Sequence, residues 1–176
     1  MQNKSIVLGG GCFWCLEAAY QMLEGVTDVV PGYAGGHTEN PTYDDVITSQ
    51  TGHIEVVRVT YDPFVVTLET IMAIFWSLHD PTSLNRQGAD VGTQYASAVF
   101  YSDTEQKEMI DQSRIQAQEL LEETIVTRID ILQKFYEAED YHHNYFRNNP
   151  GAGYCSAVIE PKLAKLHQHF AELLRD

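Results

Sequence analysis

The chain has 176 residues, 44% of them hydrophobic and 20% charged, enough for one domain with a substantial core. Its 25 acidic and 11 basic residues leave a net charge of −14, the opposite balance from a nucleic-acid binder, and no basic run offsets it. No apolar run approaches a membrane span and Met1-Gln2-Asn3-Lys4 lacks a signal-peptide core, so a cytoplasmic single domain over 1–176 is expected.

Ile6 to Leu8 reads as a short strand, followed by Gly9-Gly10-Gly11 and a helix over 12–23 with Cys12, Leu16, Ala19, Tyr20 and Leu23 at helical spacing. Val26 to Tyr33 reads as a strand running into a Gly-, Asn- and Pro-rich loop over 35–41. His53 to Tyr61 is strand-like and is stopped by Asp62-Pro63. Leu68, Ile71, Met72, Phe75 and Leu78 mark a helix that ends near Asp80-Pro81, because the residue before a proline avoids helical geometry. A polar loop over 82–94 leads to a strand from Tyr95 to Tyr101, and Ser102 and Glu105 have capping-box spacing for a helix over 104–121. Ile125 to Leu132 alternates as a strand, and 140–154 looks irregular and aromatic-rich. Pro161 fits the first position of a last helix with Leu163, Leu166, Phe170 and Leu173 on one face. This order predicts an α/β chain in which helices pack on one partly antiparallel sheet, with the strand order left open.

The chemistry concentrates at Gly11-Cys12-Phe13-Trp14-Cys15. A glycine turn between strand and helix holds the first helical side chain, here a thiol, above the sheet. Free N–H groups and the positive end of the helix dipole are expected to favour its thiolate. Cys12 and Cys15 are three apart and share a helix face, so a disulfide between them is feasible; two buried thiols packing as small hydrophobes is the plainer alternative. Zinc would need two more ligands, and only Cys155 and seven histidines remain, with no second C-x-x-C.

Glu55 shares strand parity with Val57, Val59 and Tyr61. If that face is the core, burial keeps its carboxyl protonated and able to donate; if not, it is an exposed glutamate at a strand start. Tyr43 and Tyr95 are phenols on loops or strand starts, each of which alone reads as packing, and Asp90 alone reads as a turn residue. His142 and His143 could wall a site or bind metal, but a surface or packing cluster is the stronger expectation. Cys155 follows Gly151-Ala152-Gly153-Tyr154, which either lets it travel to Cys12 or leaves it as a buried strand residue.

With these residues in hand, the chain resembles the peptide methionine sulfoxide reductase A family. The matching stretches are GCFWC at 11–15, GYAGG at 32–36, NPTY at 40–43, TGHIEVV at 51–57, HDPT at 79–82, RQGADVGTQY at 86–95, FYEAEDYH at 135–142 and NPGAGYC at 149–155. The resemblance implies a two-layer α/β (α+β) sandwich with a ferredoxin-like arrangement. It implies reduction of methionine S-sulfoxide, free or within proteins, as protein repair under oxidative stress. Cys12 would be the nucleophile, Glu55 the acid, and Tyr43 and Tyr95 hydrogen-bond donors to the sulfoxide oxygen. Asp90 would help fix the site or the substrate, and Phe13 and Trp14 would line the methyl pocket. No bound cofactor or metal is implied, thioredoxin (dithiothreitol in vitro) would be the electron donor, and a monomer is expected. Many relatives place resolving cysteines in a glycine-rich C-terminal tail. This chain lacks that tail, so Cys15 and Cys155 are the resolving candidates, with Cys15 slightly favoured because it needs no loop motion. A general thiol–disulfide oxidoreductase and a non-catalytic redox sensor are the rival readings.

Overall fold

In a computed structural model that describes residues 2–176, six strands form one sheet in the order β7-β6-β1-β3-β2-β8. These are β1 (Lys4–Gly9), β2 (Val26–Ala34), β3 (Ile54–Tyr61), β6 (Ala98–Tyr101), β7 (Arg128–Ile131) and β8 (Phe135–Glu137). β3 lies between β1 and β2 and is antiparallel to both, with Leu8 opposite Val57 and Tyr33 opposite Glu55. β6 runs antiparallel to β1, whereas β6 and β7 are parallel.

Alternation along the central strands sorts two apolar faces. Ile6 and Leu8 of β1 and Val57, Val59 and Tyr61 of β3 point to the larger cluster, which also takes Leu16, Tyr20, Ile71, Phe75, Ile159 and Leu166 from the helices. Val7, Ile54, Val56, Ala98 and Phe100 point the other way into a smaller cluster with Ala34. The Arg58 and Arg128 guanidiniums lie over the Phe135 and Phe100 rings on that side. The helices facing the larger cluster are α1 (Phe13–Gln21), α3 (Leu68–Leu78) and α6 (Glu160–Phe170), with α4 (Thr104–Gln118) packed beside α3.

Several local expectations shift. The strand predicted from Tyr95 begins only at Ala98, because Thr93–Tyr95 closes as a 3₁₀ turn after Gly92. α4 is capped by Asp103, whose side chain accepts from the Gln106 N–H at 2.8 Å, and not by Ser102. The polar loop folds a small hairpin, β4 (Arg86–Gln87) and β5 (Asp90–Val91). Thr42 nucleates a one-turn helix, α2 (Tyr43–Val46), through a reciprocal capping box with Asp45. The aromatic segment over 140–154 follows β8 and contains a 3₁₀ turn over Asp140–His142 and the short α5 (Tyr145–Asn148). Cys155 is buried in a π-helical turn, Cys155–Ile159, and not in a strand. That wider turn runs directly into α6, so Pro161 lies inside a continuous helical segment. A proline there cannot donate to the carbonyl four residues back and its ring crowds that carbonyl, and a widened turn relieves both problems.

The chain end clasps the far end of α1. The Arg175 guanidinium donates to the carbonyls of Gln21 at 2.9 Å, Leu23 at 3.0 Å and Val26, and its own N–H donates to the Met22 carbonyl at 2.9 Å. The Gln21 and Met22 carbonyls belong to the end of α1, where a helix leaves carbonyls unpaired and its dipole favours a cation, and those of Leu23 and Val26 lie in the turn into β2.

At the other end of α1, Gly11 adopts φ +91°, and a Cβ there would sit 2.9 Å from Gln87 Cβ. Gln87 in turn brackets the Asp80 backbone, accepting from its N–H at 2.9 Å and donating to its carbonyl at 2.6 Å. Gly11→Ala is therefore expected to cost about 1–3 kcal/mol of stability. Equilibrium denaturation should show this as a lower midpoint with an unchanged slope.

Candidate active site

Cys12 is the N-cap of α1, directly after the Gly11 bend. The Cys15 N–H donates to the Cys12 carbonyl at 3.2 Å, which closes the first helical turn and brings the two side chains to one face. Both thiols are free and buried, at 8% and 3% exposure. Glu55 sits on the helix-facing side of β3 with Val57 and Val59 and is only 1% exposed. Its Oε1 accepts the Phe13 N–H at 3.2 Å, one residue past the nucleophile candidate. Burial pushes the Glu55 carboxyl up to about 8, outweighing the Phe13 hydrogen bond, and the Asp90 and Cys15 charges add to the rise. The carboxyl is thus a neutral acid at pH 7, with one oxygen fixed by the helix start.

The thiols differ from the simple helix-terminus expectation. Burial raises the Cys12 thiol well above the usual cysteine range, and the hydrogen bond with Cys15 and the Glu55 charge push the same way. The Trp14 N–H at the helix start pulls down only partly, and the sulfur makes no capping hydrogen bond of normal geometry. Cys15 moves down: the hydrogen bond with Cys12 lowers it most, against burial, with help from Lys162 and the Tyr154 hydroxyl. Of the two thiols, Cys12 therefore holds its proton the more tightly. A lone sulfur at a helix N-terminus gives the opposite expectation, because that picture omits desolvation.

Tyr43 and Tyr95 both lie within electrostatic reach of Glu55 and Cys12. Burial pushes the Tyr43 phenol up to about 12 and raises Tyr95 as well, and both lie in the fields of Glu55 and Cys12. The two phenols accordingly keep their protons and can donate them in hydrogen bonds. Tyr43 is set in place where its own N–H donates to Glu139 Oε2 at 2.9 Å, while Glu139 Oε1 accepts from the Tyr33 hydroxyl at 2.9 Å. Asp90, on the β4–β5 hairpin, accepts from the Tyr154 hydroxyl at 2.8 Å.

Phe13 is fully buried, whereas Trp14 is half-buried and held on three sides. Its indole N–H donates to His142 Nδ1 at 3.0 Å, Tyr145 stacks on it with centroids 3.6 Å apart, and Tyr154 meets it edge-on at 5.7 Å. His142, 1% exposed, also packs on Phe13 and Tyr43, so it belongs to the site and not to a surface cluster. His143 instead bonds the Ala138 carbonyl. Among the described residues no group of three or more His, Cys, Asp or Glu side chains is placed to hold a metal ion. Cys155 is 0% exposed and near enough to Cys15 to feel its charge.

Sequence reasoning passed over Tyr33, Glu139, Glu17 and Tyr154. Buried Glu17 accepts the Asn144 and Tyr145 N–H groups at 2.9 and 3.3 Å and so fixes the start of α5, which carries the stacking tyrosine. An acid in the middle of an otherwise apolar helix face, with Cys15, Leu16 and Ala19 buried around it, was the available signal. A cleft of about 690 Å³ that includes Gln21, Asp28, Arg147 and Arg175 lies at the opposite end of α1. The reactive groups therefore sit under an aromatic rim and outside that cleft.

Comparison with known proteins agrees with this geometry. The family described as Peptide methionine sulfoxide reductase matches residues 4–174. Proteins named peptide methionine sulfoxide reductase MsrA are similar over most of their length. The one from Chromobacterium violaceum is 49% identical over 98% of this chain and 99% of its own, and the one from Deinococcus radiodurans 52% over 98% and 85%. The crystal structure of Mxr1 from Saccharomyces cerevisiae in reduced form superposes with a TM-score of 0.83 at 34% identity, covering 88% of this chain and 90% of that one. Mxr1 in complex with Trx2 superposes at 0.59, with 25% identity over 82% and 85%. A mixed α/β fold, a buried thiol beside a protonated acid and these matches lead to one assignment: the chain belongs to the peptide methionine sulfoxide reductase family.

Proposed function

We propose that the chain reduces methionine S-sulfoxide, free and within proteins, through a sulfenic acid on Cys12. The observation that carries this reading is Glu55, a buried acid tied to the Phe13 N–H beside Cys12. A sulfoxide sulfur becomes electrophilic only when its oxygen is protonated or strongly hydrogen-bonded. Glu55 supplies the proton and Tyr43 and Tyr95 supply hydrogen bonds to the oxygen. Phe13 and Trp14 receive the substrate methyl group, and Asp90 orients the site through Tyr154. The Cys12 sulfur attacks the substrate sulfur, the oxygen passes to Cys12, and methionine leaves. A general thiol–disulfide exchanger would give Glu55 and the two phenols no work.

Cys15, at the same helix turn, then condenses with the sulfenic acid, water leaves, and thioredoxin reduces the disulfide by exchange. The neighbour solved with Trx2 supports that donor. We further infer one cytoplasmic, monomeric catalytic domain over 1–176 that requires no bound cofactor. No helix among the described residues is long and apolar enough to cross a membrane. The β6-β1-β3-β2 order, with α1 and α3 as crossovers, supports a ferredoxin-like relationship.

In a coupled assay with separated S and R sulfoxide epimers, wild type should turn over only the S epimer. Cys12→Ser should be inactive with either thioredoxin or dithiothreitol, and retained activity would remove the nucleophile. Peptide mapping by mass spectrometry after one turnover without reductant should find Cys12 joined to Cys15. A Cys12–Cys155 link, or a lasting sulfenic acid, would remove Cys15 from that role.

Glu55→Gln should slow methionine formation by about 10²–10⁴-fold. It should also abolish the fall in wild-type rate expected above about pH 8, where Glu55 ionises. The stability effect has a defined sign. The folded carboxyl holds its proton up to about 8, whereas the unfolded one loses it near the ordinary glutamate value of 4.5. The folded state thus loses stability as pH rises between those values, on the order of 1.4 kcal/mol per pH unit. Melting temperatures should show Glu55→Gln gaining on wild type from pH 5 to pH 8.

A further inference from the structure

Trp14 and Glu17 are three residues apart on α1 and so share a helix face. Both meet the same residue from outside that helix. Tyr145 lays its ring on the Trp14 indole, with centroids 3.6 Å apart and planes 5° from parallel, while its backbone N–H donates to Glu17 Oε1 at 3.3 Å. The Asn144 N–H donates to Glu17 Oε2 at 2.9 Å. Gln21, one turn further along α1, donates from its side-chain amide to Asn144 Oδ1 at 2.7 Å. These contacts close a ring that runs from the indole along α1 to the carboxyl, across to the Tyr145 backbone and back through the phenol to the indole.

We propose that Glu17 is a positioning residue that sets the selectivity of the site for a methyl-bearing sulfoxide, acting on Trp14 through Tyr145. This deepens the reductase reading above and rests on it, because there Trp14 receives the substrate methyl group. With Tyr145 held, the indole keeps one plane and the pocket one width. A methyl group on the substrate sulfur fits that width, and an added methylene has to push the wall aside. Glu17 touches neither the substrate nor the reacting sulfur, so its effect falls on binding and not on the bond-making step.

Stability alone does not account for this carboxyl. Glu17 is 2% exposed, and burying an acid is costly unless its hydrogen bonds compensate. Yet α5, whose first N–H groups it accepts, is four residues long, contains no buried residue and has no side-chain cap of its own. Asn144 stands in the left-handed region at φ +55°, a conformation unfavourable for an L residue and therefore in need of holding. What the buried acid fixes is the turn at Asn144 and Tyr145, and with it the place of the Tyr145 ring. Both carboxyl oxygens serve as acceptors, so a Gln amide there would leave one of the two backbone N–H groups facing another donor.

Reduced enzyme mixed with excess substrate and no reductant forms product once, which separates binding from re-reduction. With the S epimer of methionine sulfoxide, Glu17→Gln should raise the half-saturating concentration about tenfold and leave the limiting rate unchanged. Against the S epimer of ethionine sulfoxide, wild type should favour the methyl compound on the order of tenfold or more. Glu17→Gln should bring the two substrates toward parity, which a loss of stability alone would not do. Tyr145→Leu should reproduce both effects, and Glu17→Gln added to it should change neither further. Gln21→Ala, at a half-buried position, removes the outer tie on Asn144 and should narrow the methyl preference in the same direction. It tests the idea should Glu17→Gln not fold. Wild type without a methyl preference, an unchanged preference in Glu17→Gln or, in its place, in Gln21→Ala, or effects of Glu17→Gln and Tyr145→Leu that multiply, overturns the proposal. Wild type that forms no methionine would instead overturn the reductase reading beneath it.

Discussion

The hydrogen bond from the Phe13 N–H to Glu55 Oε1 is the constraint on which the site depends. It joins a helix start to a strand interior across 42 residues of sequence, next to the thiol. A carboxylate at a helix N-terminus would ordinarily be stabilised as the anion. Burial outweighs that effect here and keeps the proton on Glu55. One oxygen is therefore committed to the backbone and the other is left with a proton to give. The glycine bend, the opposition of Tyr33 and Glu55 across β2 and β3, and the caps on α2 and α1 all hold the parts of that arrangement in register.

The aromatic rim works as a set of braces on Trp14. His142 holds the indole nitrogen, Tyr145 its face and Tyr154 its edge, and each brace is anchored elsewhere. Glu17 fixes the start of α5 and Asp90 receives the Tyr154 hydroxyl. A half-buried residue is thus immobilised by neighbours brought in from distant parts of the chain, so little entropy remains to be lost when a methyl group settles against it.

Much of the fold was legible in the sequence because its signals were local. The alternation in β3 grouped Glu55 with Val57, Val59 and Tyr61 while leaving open which face is the core, and the spacing of Leu68 to Leu78 gave α3 its buried side. Gly11 announced the bend before Cys12. Where competing local signals overlapped, the reading slipped. Asp103 won the cap from Ser102, and Gly92 with its φ of 146° turned Tyr95 into a 3₁₀ turn before the strand could begin. The site was legible as residue types and not as a constellation. Glu139, Tyr33, His142 and Tyr154 enter it through contacts spanning from 64 to 128 positions, which no periodicity encodes. The protonation order of the two thiols was hidden for the same reason, since desolvation is a property of the packed molecule.

The clasp of Arg175 on the carbonyls of Gln21, Leu23 and Val26 couples the last stretch of chain to the helix that begins with the reactive sulfur. Synthesis proceeds from the N-terminus, so the thiols emerge before the group that closes off their helix, which lies 154 positions beyond Gln21. During translation that helix lacks its terminal stop and α6 has yet to cover it. The nascent chain thus carries its sulfurs in an unfinished setting until α6 and Arg175 have joined α1.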